Sequence, residues 1–173
     1  MRRLAFVFAA CAALAAPAAA LAIQAVGDGS LVIQNGAAPW NNPGSPDVPV
    51  VQLRITGSVI GHVDGYGKIV IDAGSDTDAV YQVIGAGRPT DSKLSDTASV
   101  WTAADFKFRA VGGKFTILIY GSDVNLVAAG KGIVRVAGLP DKPKGDGLYS
   151  LNDGDFKSLP GTLTPKLTIG SDS

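Results

Sequence analysis

The only histidine of the chain, His62, is the first side chain to consider for acid–base or metal chemistry. A serine-hydrolase triad would have to use it, yet no Gly-x-Ser-x-Gly motif presents a serine nucleophile. A zinc site would need further histidines or thiolates. The residues around His62 alternate between apolar and polar types, which places it on the outer face of a strand, across from Lys68. We therefore predict a solvated histidine without a catalytic role.

Carboxylates are the second possible source of chemistry, because all 15 acids of the chain are aspartates. Two carboxylates flanking a glycosidic bond could hydrolyse a glycan. A cluster of oxygens could instead bind Ca²⁺ weakly, with Asp72, Asp76 and Asp78 as the candidate ligands. All of these aspartates lie in Gly-, Ser- or Thr-rich segments, where Asp stabilises turns. Turn formation is the favoured interpretation, and the candidates for paired carboxylates are Asp72, Asp76, Asp78, Asp153 and Asp155.

Aromatic side chains offer a binding surface rather than a reaction, because flat rings stack well on the C–H faces of sugars. Trp40 is the best candidate, since it lies in a proline-rich segment that should be a surface loop. Anchoring of that loop to the core is the favoured role for this tryptophan, and sugar binding is the alternative. The candidate ligand-binding residues are Trp40, Trp101, Tyr66 and Tyr120.

Other common sites are not predicted. Gly85-Ala86-Gly87 lacks the third glycine and the helix of a dinucleotide-binding turn, and Pro89 follows closely. We therefore expect no cofactor.

Without its first 22 residues the chain keeps 13 Lys and Arg against 15 Asp, and no basic stripe is present. A nucleic-acid partner is accordingly not expected.

The N-terminus has the layout of a secretory signal peptide. Arg2 and Arg3 precede an Ala-rich apolar run that ends at Ala20-Leu21-Ala22, a small-x-small cleavage pattern. We expect residues 1–22 to be removed and the mature chain to lack a transmembrane segment. Cleavage would also remove Cys11, the only cysteine, and with it any disulfide or thiolate site. Lipid attachment at Cys11 is an alternative, although it would leave a very short apolar run.

The remaining residues, 23–173, should form one domain of about 150 residues, which is long enough for a single core. The segment 51–73 shows the clearest strand pattern, with apolar residues at odd positions. A three-residue loop, Asp64-Gly65-Tyr66, would keep this parity and form a hairpin in which Gly61 faces Ile69.

Three more hairpins are expected by the same reasoning. One turns at Gly112-Gly113 and pairs Phe108 with Ile117, and another turns at residues 129–131. The last turns at Asp153-Gly154, between Leu148–Leu151 and Phe156–Leu159. Further strands are predicted at 30–34 and 80–84. Residues 35–49 contain four prolines and are predicted to be a surface loop.

No segment of the mature chain shows a helical period, so we predict an all-β protein. An antiparallel β-sandwich built from consecutive hairpins is the expected architecture, and a short β-helix is the alternative. Several apolar residues, including Ile60, Leu118 and Val127, should point away from the core. They require either a covering layer or a contact surface.

The sequence also resembles a group of short secreted all-β proteins of high-GC Gram-positive bacteria with no known activity. The Ala-rich leader, the glycine-flanked strand at residues 130–138 and the Asp-Gly-Leu-Tyr-Ser-Leu run at 146–151 carry this resemblance. It implies export and an all-β fold, but no catalytic residue.

These observations favour a secreted, non-catalytic domain with a structural or binding role at the cell envelope or outside the cell. A carbohydrate-binding module and an Asp-dependent glycan-active enzyme are the alternatives. The partner, which could be an envelope glycan or a protein, is not identified by the sequence.

Overall fold

A computed structural model describes residues 28–41, 43, 46–92, 94–141 and 147–170. These residues contain no helix and form nine strands, as expected from the alternating pattern and the turn-rich composition. The strands are β1 (Gly29–Gly36), β2 (Val51–Asp72), β3 (Val80–Ile84), β4 (Thr90–Asp91), β5 (Ala98–Gly121), β6 (Val124–Val136), β7 (Leu148–Leu151), β8 (Lys157–Ser158) and β9 (Leu167–Ile169). The segment 1–27, which contains the predicted signal peptide and Cys11, lies outside the described residues.

All nine strands belong to one antiparallel sheet. Its order is β3-β5-β2-β6-β1-β7-β8, with β4 paired to β5 and β9 paired to β6. The predicted all-β, antiparallel class is therefore confirmed. The sheet is open and does not close into a barrel. The predicted β-sandwich is not confirmed, because a sandwich has two separate sheets and all nine strands lie in one. The antiparallel ladders also differ from the parallel ladders of a β-helix.

The sheet encloses a core because its two longest strands bend back on each other. Residues 67–72 of β2 pair with 98–103 on one side and with 116–121 on the other. Residues 116–119 of β5 in turn pair with 51–54 at the start of β2. Both edges of the second half of β2 are thus bonded to β5, so the sheet curls around the side chains on its inner face.

Three of the predicted hairpins are wrong, because their glycine-rich segments lie inside long strands. At Asp64-Gly65 the pairing moves from Val63 opposite Phe106 to Tyr66 opposite Ala104, so two residues of β2 face one of β5. At Gly112, whose φ is 80°, β5 carries the extra residue. Such β-bulges bend a strand without ending it. Residues 129–131 likewise continue β6 without a turn.

The other strand predictions agree with the structure. The segments predicted at 30–34 and 80–84 correspond to β1 and β3. The hairpin at Asp153-Gly154 is confirmed, since β7 pairs antiparallel with β8. The described residues between Gly36 and Val51 contain no helix or strand.

The inner face holds the apolar residues that the alternation predicted. Phe106, Phe108, Ile117 and Ile119 are all buried in one cluster. Their predicted burial is correct although their predicted pairing is not, because each of these four residues keeps the face that the local alternation gives it. On the outer face, Leu118 is buried in a small second cluster, whereas Ile60 and Val127 pair with each other and are each 49% exposed.

Candidate functional site

Three of the four aromatic candidates, Trp40, Tyr66 and Tyr120, come together around Lys68. The Trp40 and Tyr66 rings stack with their centroids 5.3 Å apart and their planes at 29°. The Lys68 ammonium lies 4.0 Å from the Tyr120 centroid and 5.8 Å from that of Trp40. Asp47 completes the group through an ion pair with Lys68 at 3.2 Å. We call Trp40, Asp47, Tyr66, Lys68 and Tyr120 the aromatic cluster.

The bent strands supply the base of the aromatic cluster. Lys68 on β2 lies directly opposite Tyr120 on β5, so their side chains project from the same face. Gly67 and Gly121 pair beside them. A Cβ at Gly121, whose φ is 132°, would lie 2.9 Å from the Gly67 Cα. Only glycine permits this close approach of the two strands.

The proline-rich loop supplies the other two members, Trp40 and Asp47. The loop is tied to the end of β5, because the N–H of Ala38 donates to the carbonyl of Gly121 at 3.3 Å. It then folds back on itself through a bond from the N–H of Val48 to the carbonyl of Pro39 at 2.9 Å. These contacts bring residues that are distant in sequence to the side chain of Lys68.

Electrostatics favour the ionised form of Asp47 and the neutral form of Tyr120. The backbone N–H of Asn41 donates to Asp47 and, with Lys68, holds the pKa of that carboxyl below its ordinary value. Partial burial, and then the negative charge of Asp47, raise the pKa of Tyr120. The cluster therefore presents an ionised carboxylate at Asp47 and a neutral phenol at Tyr120.

The aromatic cluster combines flat apolar faces with hydrogen-bonding groups. Tyr66 is 55% exposed, so part of its ring is open to solvent while Trp40 covers another part. Lys68 provides donors and Asp47 provides acceptors within the same group. Sugars present the complementary features, which are apolar C–H faces and hydroxyl groups at their edges.

Trp101 lies apart from the aromatic cluster. It is 8% exposed, belongs to the main core and meets Tyr81 edge-to-face with ring centroids 6.0 Å apart. Its inward direction follows from its pairing with Ile69, another core residue. Trp101 therefore packs the interior instead of forming part of the surface site.

His62 lies on the outer face, as its parity indicated. Its side chain is 44% exposed, and Nε2 is 3.1 Å from a carboxylate oxygen of Asp64. Its neighbours across the sheet are Lys107 and Asn125, so the expected position opposite Lys68 is wrong. Such an exposed contact adds little to stability.

The aspartates considered for catalysis or Ca²⁺ binding form turn contacts. Asp72 accepts hydrogen bonds from the N–H of Gly74 and the hydroxyls of Ser95 and Thr97. Burial raises its pKa, but these bonds outweigh burial and hold the pKa below its ordinary value. Asp76 accepts from the N–H groups of Lys114 and Asp78, which also lowers its pKa.

The remaining candidates, Asp78, Asp153 and Asp155, are exposed. Asp153 accepts a hydrogen bond from the Ser30 hydroxyl at 2.7 Å. Within the described ranges, no group of three or more His, Cys, Asp or Glu side chains could hold a metal ion.

Sequence reasoning missed Lys68 and Asp47 as members of the site. Neither is marked by a motif, and because they are 21 positions apart in the sequence there is no local signal of their contact. It also missed a groove on the same face of the sheet, lined by Gln52, Arg54, Ile133, Val134, Arg135 and Lys166. Its three cations, Arg54, Arg135 and Lys166, are spread over 113 positions of the sequence, so no run of basic residues indicates the groove.

Comparison with known proteins identifies no relative, because no family model, curated protein or solved structure matches the chain. Among the residues whose structure is described, no helix is long and apolar enough to cross a membrane.

Proposed function

We propose that this protein is an exported, non-catalytic domain that binds carbohydrate through the aromatic cluster. The observation that carries the proposal is the stacking of Trp40 on the exposed ring of Tyr66, beside the charged pair formed by Lys68 and Asp47. A sugar ring stacks on the open part of Tyr66, and its hydroxyls bond to the neighbouring polar groups. Export is proposed from the leader-like N-terminus.

The arrangement of the cluster favours binding at this place. The Lys68 ammonium is held by Tyr120 and Asp47, so the polar groups are already ordered before a ligand arrives. Ordered side chains lose less conformational entropy on binding, which favours affinity. Trp40 anchors the loop and forms part of the binding surface at the same time.

The carboxylates favour a domain without catalysis. A glycosidase needs one carboxylic acid whose pKa is raised so that it can donate a proton near neutral pH. The pKa shifts at Asp47, Asp72 and Asp76 are in the opposite direction. Each of these carboxylates also has its oxygens engaged by hydrogen bonds.

Isothermal titration calorimetry with soluble polysaccharides tests the proposal. We expect the wild type to bind at least one of them. Tyr66→Ala should weaken that binding at least tenfold, equivalent to about 1.4 kcal/mol. Trp40→Ala should do the same, and circular dichroism checks that this variant remains folded. Phe156→Ala is the matched control, because Phe156 is an aromatic residue with 48% exposure outside the cluster.

Two results would contradict the proposal. Equal affinity of wild type and Tyr66→Ala would remove the aromatic cluster from the binding site. Release of new reducing ends from a bound polysaccharide would show catalysis and favour the glycan-active enzyme.

A further inference from the structure

The second feature of this sheet face is the groove of about 170 Å³ between β2, β6 and the segment before β9. Three of its six lining residues are cations, namely Arg54, Arg135 and Lys166, and none of the six is an acid. Within the described part of the chain, none of the three cations forms an ion pair with a carboxylate. The groove is therefore a local concentration of positive charge in a chain with a formal net charge of zero.

The groove is built by strand pairing. Gln52 lies opposite Arg135, and Arg54 lies opposite Ile133, so Arg54 and Arg135 occupy neighbouring positions on one face. Arg135 is further fixed because its Nε donates to the carbonyl of Thr164 at 2.8 Å. An arginine oriented in this way keeps other N–H groups free to bond an anion.

Charge chemistry determines which ligand fits the groove. Three neighbouring cations repel one another unless an anion lies between them. Guanidinium groups bind carboxylate, sulfate and phosphate oxygens with two parallel hydrogen bonds, which gives both strength and orientation. The expected occupant is thus an acidic group.

The groove and the aromatic cluster share one face of the sheet. Tyr120 and Leu118 are two residues apart on β5, Leu118 lies opposite Gln52, and Gln52 lies opposite Arg135. Two residues along a strand and two steps across the sheet correspond to roughly 12 Å. One extended ligand can contact both places.

We propose that the groove formed by Arg54, Arg135 and Lys166 binds acidic substituents of the glycan held by the aromatic cluster, so that the ligand is an acidic polysaccharide. This inference rests on the proposed function. It adds a substrate class, because neutral polysaccharides would contact the aromatic cluster alone.

Matched pairs of polysaccharides test the inference by calorimetry. The probes are polygalacturonate with its methyl ester, and dextran sulfate with dextran, so that each pair differs in charge on one backbone. We expect the acidic member of at least one pair to bind tenfold or more tightly than the neutral member. Its affinity should fall between 50 and 200 mM salt, since surface charges are then more strongly screened.

Variants assign the charge effect to the groove. The double variant Arg54→Gln/Lys166→Gln should abolish the preference for the acidic member, while Tyr66→Ala should weaken both members. Arg135 is left intact because it also holds the backbone at Thr164. The control is Lys107→Gln/Arg109→Gln, which removes the same charge from exposed residues of β5.

The outcomes separate the two proposals. Absence of binding to every probe overturns the carbohydrate-binding function and this inference with it. Equal binding of acidic and neutral members, or an unchanged preference in Arg54→Gln/Lys166→Gln, overturns the inference alone. Equally tight binding of a single-stranded oligonucleotide would indicate a general polyanion site and would also overturn it.

Discussion

Phe108→Ala removes a ring from the centre of the core and should destabilise the protein strongly. Phe108 is 2% exposed and lies 6.4 Å from Phe106, measured between ring centroids. A buried aromatic side chain removes about 150–250 Å² from water. At about 25 cal/mol per Å², complete burial contributes roughly 4–6 kcal/mol. Because alanine keeps the Cβ, we expect a loss of about 3–5 kcal/mol in the free energy of unfolding.

The same residue also tests the strand register. Phe108 lies opposite Gly61, and a Cβ built at Gly61 would be 2.5 Å from the carbonyl oxygen of Asn125 and 2.6 Å from the Phe108 Cζ. Gly61→Ala alone should therefore cost about 1–3 kcal/mol by overpacking. Phe108→Leu lacks the ring tip, so in that background Gly61→Ala keeps the contact with the Asn125 carbonyl but loses the one with the ring, and it should cost less. We expect a coupling between the two changes of at least about 0.5 kcal/mol.

Urea unfolding of the wild type, Gly61→Ala, Phe108→Leu and the double variant Gly61→Ala/Phe108→Leu measures this coupling. Additive effects would contradict the described register, because Gly61 and Phe108 would then not face each other. That result would support the local hairpins, in which Gly61 faces Ile69 and Phe108 faces Ile117. A loss below about 1 kcal/mol for Phe108→Ala would contradict its burial as well.

The remaining predictions concern the surface, acid stability and processing. His62→Ala should change the unfolding free energy by no more than about 0.5 kcal/mol in urea, because its contact with Asp64 is exposed; a larger loss would contradict a solvated role. In the folded state the pKa of the Asp72 carboxyl is lowered from its ordinary value of 3.8. The ionised carboxylate therefore stabilises the fold fully above pH 3.8, and this stabilisation disappears as the pH falls through the folded pKa. Acid titration of Asp72→Asn should therefore show a flatter decline below pH 3.8 than the wild type, and an identical decline would contradict the hydrogen-bonded carboxylate. Mass spectrometry of the exported protein should place its N-terminus within a few residues of Ile23, whereas a lipid on Cys11 would contradict this cleavage.

The candidate site was only partly predictable. Trp40, Tyr66 and Tyr120 could be chosen from the sequence because aromatic residues outside a core pattern are plausible binding groups. Nothing local indicated that they meet, or that Lys68 and Asp47 lie among them. Their proximity depends on the loop bonded to Gly121 and on the pairing of residues 67–72 with 116–121.

The sequence by itself determined the all-β class and the face on which each strand residue lies, because side chains alternate along any extended strand whatever its partner. Phe106, Phe108, Ile117 and Ile119 are buried for this reason. The choice of partner strand was decided only by the tertiary structure. Glycine pairs such as Gly112-Gly113 fit both a tight turn and a bulge, and alternation is the same in either case. Burial of the core favours the bulges, since two long bent strands can curl around it where separate hairpins would not.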